Sequence, residues 1–363
     1  MGCYDYYNID DIPYGGYIAE NIYDKNGTLL VKSGTLIDNN IAEKLKHYSK
    51  KLRVYSNNKR TDTINKYTDK INEDNKEKSL STFVLSDDIK NRAKQGVEYI
   101  YNNPNSDEVV GVADEISEEI IGAINSTDGI CIDITELKIC DDYTFQHSVD
   151  VATMAVLMAK SMNMPDKYKK DIGLAGILHD IGKTKIPDEI LNAPRKLTDE
   201  EFDLIKKHPI YGYELIKNNK DMSDEAKVGV LTHHEKYDGT GYPLGIKGPQ
   251  INIIGKILST VDVYDALVTK RPYRKEIIEP STVIEMMLGM TNQFDIEILK
   301  EFLQCVILYP IGTMVVLSDN KIYKVVKQNI GYPLRPVVFD VLDKINIDLL
   351  DMQYFNLVIT KKL

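Results

Sequence analysis

The sequence lacks several features, and each absence excludes a class of protein. The four cysteines (Cys3, Cys131, Cys140 and Cys305) show no CxxC spacing, so neither a zinc ribbon nor a disulfide framework is indicated. No apolar run reaches the ~18 residues expected of a membrane-spanning helix. Positive charge is also scarce, because 45 Lys and Arg face 55 Asp and Glu, which argues against bulk binding of nucleic acid. We therefore expect a cytoplasmic protein without a membrane anchor.

Histidine is scarce as well, but its distribution is informative. Five of the six histidines lie between positions 147 and 234, and two aspartates accompany them. Imidazole and carboxylate groups are ligands of divalent transition metals, and seven of them in one pocket could hold two ions with a bridging carboxylate. The candidate ligands are His147, His179, Asp180, His208, His233, His234 and Asp262.

Taken singly, most of these residues have a purely structural explanation. His147 shares a helical face with Val151 and Met154, which is typical of a histidine in a hydrophobic core. Asp262 is harder to explain, because it follows an apolar run and a buried carboxylate is costly unless it is paired or bound to a cation. The combination of all seven residues therefore predicts a metal centre.

Three motifs around these residues resemble one enzyme family. The stretch His179-Asp180-Ile181-Gly182-Lys183 is similar to the HD motif of metal-dependent phosphohydrolases. The stretch 233–243 resembles the second signature of the HD-GYP branch, the bacterial cyclic di-GMP phosphodiesterases. A third block, from Asp262 through Arg271 to Arg274, fits the same branch. The resemblance extends from about residue 141 to about residue 302, which is roughly half of the chain.

This resemblance implies a phosphodiesterase that hydrolyses cyclic di-GMP to pGpG, and more slowly to GMP, by attack of a metal-bridged hydroxide. It implies two divalent ions, with iron or manganese as the expected metals. Asp180 would bridge the ions and take part in catalysis. One ion would also bind His147, His179 and Asp262, and the other His208, His233 and His234.

The resemblance also implies roles toward the substrate. Lys183 would be catalytic, because it could stabilise the phosphate or protonate the leaving 3′ oxygen. Arg271 and Arg274 would bind phosphate or guanine edges, Tyr242 would stack or hydrogen-bond there, and Asp265 is grouped with these substrate-binding residues.

One position departs from the fullest family pattern. Members with three metals carry a glutamate four residues before the first histidine, where this chain has Tyr143. A phenol is a poor ligand for a divalent ion. We therefore expect two ions and a slow second hydrolytic step.

The expected fold is mainly α, an HD-type helical bundle that carries a binuclear metal site, with small β-rich modules at both ends. Turn signals and period-two patterns predict a β-rich module over 1–55, and the polar composition of 56–85 predicts a linker. The helical catalytic domain would cover 86–305, with its motif core at 141–302, and a β subdomain would cover 306–363.

Several alternatives remain open at this point. The substrate could be another cyclic dinucleotide, such as cyclic GMP-AMP, or the chain could be an effector that binds a cyclic dinucleotide without hydrolysing it. The apolar face of the predicted helix around Ala113 and Ile120 could pack within its own domain or form a homodimer contact through helices 86–125. The N-terminal module could receive a signal from a protein partner.

Overall fold

The computed structural model describes residues 82–127, 131–133, 143–269 and 278–363, together with short strands and the single residues 35, 41 and 45 within the first 55 positions. The predicted linker therefore lies outside the described residues as far as residue 81. The chain divides into two compact units. The larger comprises Leu80–Leu308 with Ile330–Pro333, and the smaller comprises Met1–Ser79, Tyr309–Asn329 and Leu334–Leu363.

Helices form most of the larger unit, so the mainly α fold class predicted from the sequence is confirmed. In chain order they are α1 (Asp87–Asn102), α2 (Val109–Asn125), α3 (Tyr143–Ser161), α4 (Asp166–Leu178), α5 (Asp188–Leu191), α6 (Asp199–Ile205), α7 (His208–Ile216), α8 (Asp224–Thr232), α9 (Ile253–Val268), α10 (Pro280–Gly289) and α11 (Ile296–Cys305). Short 3-10 turns cover Ile181–Lys185, Gly248–Gln250 and Thr291–Gln293. None of the described helices is both long and apolar enough to cross a membrane.

Local sequence signals explain where several helices begin. Helix α6 starts with a capping box, in which Thr198 and Glu201 satisfy each other's backbone N–H groups. Helix α7 starts at His208, with Pro209 in its first turn. Proline suits this place because the first turn of a helix does not need its N–H group. His208 is thereby held at a helix start, next to a loop.

The apolar face of α2 is used inside the larger unit. Its side chains Val109, Ala113, Ile116 and Ile120 are buried, and α2 packs against α4. This burial supports the alternative in which the face packs within its own domain, and a homodimer through helices 86–125 stays a prediction.

The larger unit also contains a small parallel sheet. It contains β6 (Thr82–Phe83), β7 (Cys131–Asp133) and β8 (Val306–Ile307), in the order β6-β7-β8. Phe83 and Leu85 are buried, so they belong to the hydrophobic core. The helical unit thus extends a few residues beyond the 86–305 range at both ends.

In the smaller unit, most of the regular structure among the described residues is antiparallel β-strand. Its five-stranded sheet has the order β12-β11-β10-β9-β13, built from β9 (Met314–Leu317), β10 (Ile322–Lys327), β11 (Val337–Asp340), β12 (Ile345–Asp348) and β13 (Ile359–Lys362). Alternate residues such as Val315, Tyr323 and Val325 are buried on one face. The first 55 residues contribute β1 (Asp5–Tyr7), β2 (Tyr17–Ile18), β3 (Ile22–Tyr23), β4 (Leu29–Val31) and β5 (Leu52–Tyr55), paired as β1-β5-β2 and β3-β4.

Helices α3 and α4 approach each other closely enough that only glycine fits at one crossing point. A Cβ atom at Gly176 would lie 2.7 Å from the Cα atom of Ala152. This approach matters for the rest of the fold because α3 carries His147 and α4 ends immediately before His179.

We expect Gly176→Ala to destabilise the protein, although alanine favours a helix over glycine by about 1 kcal/mol. The added methyl group meets backbone that cannot rotate away, and overpacking of this kind costs about 1–3 kcal/mol. Gly122→Ala is the matched control, because a Cβ atom there meets no atom within 4 Å in α2. Thermal unfolding measures both variants. Equal or higher melting temperatures for Gly176→Ala than for Gly122→Ala would contradict the close crossing.

Candidate metal centre

Three helix ends and two helix interiors bring most of the candidate ligands to the same region. His147 lies in α3 and Asp262 in α9, whereas His179, His208 and the pair His233-His234 lie at the ends of α4, α7 and α8. Adjacent histidines can face one site only where a helix ends, because residues next to each other on a helix point ~100° apart. Except for the half-buried His234, all the candidate ligands are buried.

The ligand atoms form two groups that could each hold a metal ion, with the atoms of each group within 4.8 Å of one another. The first group contains Asp180, His208, His233 and His234, and the second contains His147, His179 and Asp262.

Two carboxylates connect these groups. Oδ1 of Asp180 lies 3.2 Å from Nε2 of His208, and its Oδ2 lies 3.4 Å from Nε2 of His179. Oδ1 of Asp262 lies 3.2 Å from Nε2 of His147, and its Oδ2 lies 3.5 Å from Nδ1 of His234. Asp180 therefore has the geometry of a carboxylate shared between two ions.

The histidine hydrogen bonds indicate what the rings are arranged to bind. Nδ1 of His179, His208 and His233 each lies within 2.8 Å of a backbone carbonyl oxygen, to which it donates. A neutral ring that donates from Nδ1 carries a lone pair on Nε2. Nevertheless, Nε2 of His208 lies 3.2 Å from Nε2 of His233, and Nε2 of His179 lies 3.2 Å from Nε2 of His147. The lone pairs of His208 and His233 repel at this distance unless a cation lies near both, so these residues fit a metal.

Asp265 lies behind His147, and its expected role toward the substrate stays a prediction. Asp265 is buried, and its Oδ2 accepts a hydrogen bond from Nδ1 of His147 at 2.6 Å. A carboxylate in this place fixes the ring and leaves Nε2 available as a ligand. The sequence contains a signal for this role, because Asp262 and Asp265 are three residues apart and share one face of α9.

The electrostatic surroundings favour the protonation states that bind metal. Burial lowers the pKa of His233 well below its usual value and lowers the pKa of His234 to about 3. Burial alone would raise the pKa of Asp180, but the positive charge of Lys183 and the contacts with His179 and His208 hold it well below its usual value. Burial alone would also raise the pKa of Asp262, but chiefly a hydrogen bond with His147 holds this pKa well below its usual value. Both carboxylates are therefore ionised at neutral pH.

His147 differs from the other rings. Burial lowers its pKa, but hydrogen bonds with Asp262 and Asp265 outweigh burial and raise the pKa to about 10. The two carboxylates thus create a strongly negative potential at this ring, which attracts a proton or a metal cation to the same place.

Two further expected residues lie beside the ligands. Nζ of Lys183 lies 2.5 Å from Oδ2 of Asp180. The ring of Tyr242 lies against that of His234, with centroids 4.7 Å apart and 32° between the planes. Arg271, Arg274 and the side chain of Tyr143 lie outside the described residues.

Gly182 is a structural requirement of the site that the sequence did not reveal. A Cβ atom at Gly182 would lie 1.9 Å from the carbonyl oxygen of His208 and 2.4 Å from the backbone nitrogen of Gly212. Both neighbours are backbone atoms, so a larger residue would displace the start of α7 and His208 with it. The only signal was a glycine two residues after Asp180.

Comparison with known proteins agrees with this geometry, because residues 131–298 match the HD domain family. The chain carries an HD domain of the HD-GYP family. This HD-GYP chain is 34% identical over 249 residues to a cyclic di-GMP phosphodiesterase of Pseudomonas aeruginosa, covering 68% of this chain and 60% of the relative.

Two other relatives match shorter segments. The cyclic di-GMP phosphodiesterase PdeB of Borreliella burgdorferi is 30% identical over 201 residues, 55% of this chain and 53% of the relative. The 3′3′-cGAMP-specific phosphodiesterase 1 of Vibrio cholerae is 36% identical over 135 residues, 36% of this chain and 30% of the relative. The HD-GYP chain thus spans at most 60% of the length of these relatives.

We expect Asp180→Ala to retain less metal than His208→Ala, because Asp180 faces both ligand groups and His208 faces one. Loss of a shared carboxylate should leave close to no bound metal, and loss of a terminal ligand should leave about half. Asp188→Ala, at the exposed start of α5, is the control and should bind as the wild type does. Elemental analysis of the purified variants gives the metal content. Wild-type metal content in Asp180→Ala would refute the shared role.

Proposed function

We propose that this HD-GYP chain is a metal-dependent phosphodiesterase that hydrolyses cyclic di-GMP to pGpG and, more slowly, to GMP. The observation that supports this most directly is the pair of ligand groups joined by Asp180, since two adjacent cations suit the attacking and leaving oxygens of one phosphodiester. The relatives, which are phosphodiesterases of cyclic dinucleotides, support the substrate class.

The seven ligands would hold two divalent ions, with iron or manganese expected. Bound ions would supply Lewis acidity, which lowers the pKa of a water nucleophile and neutralises charge on the phosphoryl oxygens. The protein orients the ligands beforehand, because Asp265 fixes His147 and backbone carbonyls fix three other rings. Tyr143 replaces the glutamate of three-metal relatives, which supports a count of two.

Lys183 would act on the phosphate and on the leaving group. Its ammonium lies 2.5 Å from the shared Asp180, so a phosphate bound beside Asp180 would be within its reach. There the positive charge would stabilise the phosphoryl oxygens, and Nζ could donate a proton to the leaving 3′ oxygen.

The remaining expected contacts lie farther from the reacting phosphate. The ring of Tyr242 beside His234 offers an aromatic face for a base or a sugar. Arg271 and Arg274 would bind phosphate or guanine edges, for which the planar guanidinium group is suited.

Turnover with defined substrates tests this function. We expect protein purified without oxygen and loaded with iron or manganese to consume cyclic di-GMP, with pGpG accumulating before GMP appears. Metal-free protein is the control and should be inactive. Chromatography of parallel reactions with cyclic di-GMP, cyclic GMP-AMP and pGpG separates the candidates. Faster turnover of cyclic GMP-AMP would favour the activity of the Vibrio cholerae relative, and binding without hydrolysis would show an effector.

We expect Arg271→Ala and Arg274→Ala to raise KM by about tenfold with little change in kcat, because residues that hold substrate and transition state equally affect binding alone. Arg195→Ala is the control, since Arg195 pairs with Glu201 on the surface. Steady-state kinetics with cyclic di-GMP measures the effect. An unchanged KM with a collapsed kcat would place either arginine at the reacting phosphate instead.

A further inference from the structure

A buried glutamate beside the metal centre has no role in the chemistry described above. Glu235 follows His234 directly and is only 1% exposed. Its Oε1 accepts hydrogen bonds from the backbone N–H groups of Leu244 at 2.7 Å and Gly245 at 3.2 Å. Its Oε2 is buried and has no hydrogen-bond partner among the described residues. Because a buried carboxylate is destabilising unless it is hydrogen-bonded, these two bonds offset part of the cost of burying Glu235.

The bonds close a loop of residues 235–251, which we term the rim loop. The loop passes close to its own start, since a Cβ atom at Gly241 would lie 2.6 Å from the carbonyl oxygen of His234. That same oxygen accepts a hydrogen bond from the backbone N–H of Tyr242 at 3.2 Å. Gly239 and Gly245 have φ angles of +83° and +64°, which residues with a Cβ atom rarely adopt.

The first residues of the rim loop are anchored separately, on the 3-10 turn Thr291–Gln293. The N–H group of Tyr237 donates to the carbonyl oxygen of Gln293 at 2.8 Å, and Nδ2 of Asn292 donates to Oδ2 of Asp238 at 3.0 Å. These hydrogen bonds anchor Tyr237 and Asp238, the outgoing part of the loop. Glu235 instead binds the backbone of Leu244 and Gly245, the returning part, which follows Tyr242.

The returning part matters because it determines where the Tyr242 ring lies. The ring is 4.7 Å from that of His234 and 6.5 Å from that of His208, measured between centroids. His234 in turn lies 3.5 Å from Asp262. A shift of the returning segment would therefore move the aromatic face away from the metal centre and leave the ligands in place.

We propose that Glu235 is a positioning residue that holds Tyr242 against His234 and so shapes the substrate side of the metal centre for a base or sugar of the cyclic dinucleotide. This role rests on the proposed function of the same site. The two hydrogen bonds that its carboxylate accepts come from backbone N–H groups and not from a metal ligand. It acts through two backbone N–H groups and through Tyr242.

Kinetics and metal content of Glu235→Ala and Glu235→Gln test the proposal. We expect Glu235→Ala to raise KM for cyclic di-GMP by about tenfold while kcat and metal content stay close to wild type. Glu235→Gln should restore KM, because its amide oxygen still accepts both N–H groups. Glu285→Gln, exposed on α10, is the control. An unchanged KM in Glu235→Ala, or a loss of metal that matches the loss of activity, would overturn the proposal.

A double variant shows whether Glu235 acts through Tyr242. If it does, Glu235→Ala combined with Tyr242→Ala should have the KM of Tyr242→Ala alone, because the second change removes nothing further. Fully additive effects of the two substitutions would overturn this route.

Limited proteolysis tests the loop without any substrate. Lys247 is exposed, and the N–H group of the next residue, Gly248, donates to the carbonyl oxygen of Tyr237 at 2.9 Å. We expect trypsin to cleave metal-loaded Glu235→Ala after Lys247 faster than wild type or Glu235→Gln.

Failure of the proposed function can be distinguished from failure of this proposal. Wild-type protein that hydrolysed no cyclic dinucleotide would refute the proposed function. Faster cleavage of Glu235→Ala would still support the positioning of the loop, and equal cleavage would overturn it.

Discussion

The constraint on which the site depends is the close approach of four imidazole Nε2 atoms beside two buried carboxylates. Backbone carbonyls and Asp265 occupy the Nδ1 atoms of four histidines, so their Nε2 atoms face one another in pairs 3.2 Å apart. The lone pairs of His208 and His233 repel in a buried place unless a cation is near, and His147 attracts either a proton or a metal cation. The ionised state of Asp180 and Asp262 adds negative charge to the same place. The fold thus holds its ligands in an arrangement that a divalent ion stabilises.

Close backbone packing makes this arrangement possible. Glycines at 176 and 182 stand where a Cβ atom would meet the backbone of Ala152 or His208. These contacts set the distance between α3, α4 and α7, and therefore the distance between His147, His179 and His208. Interiors packed at this density do not adjust gradually, so a change far from the ligands can disturb the metal centre.

Local sequence patterns predicted the mainly α fold. Residue types predicted the list of candidate metal ligands, because that list depends only on which side chains bind metals. The spacing of Asp262 and Asp265 places both on one face of α9, but the contact of Asp265 with His147 depends on the packing of α3 beside α9, which local sequence does not show. The partner of the apolar face of α2 could not be predicted either. Periodicity shows that Ala113 lies on an apolar face, but it does not show which element covers that face.

The central claim is that two ions bind on either side of Asp180. Anomalous X-ray scattering from crystals of manganese- or iron-loaded protein tests it most directly, at the absorption edge of the metal. The account predicts two peaks, one among His147, His179 and Asp262 and the other among His208, His233 and His234, with an Asp180 oxygen near each. A single peak, or peaks away from these nitrogens, would contradict it.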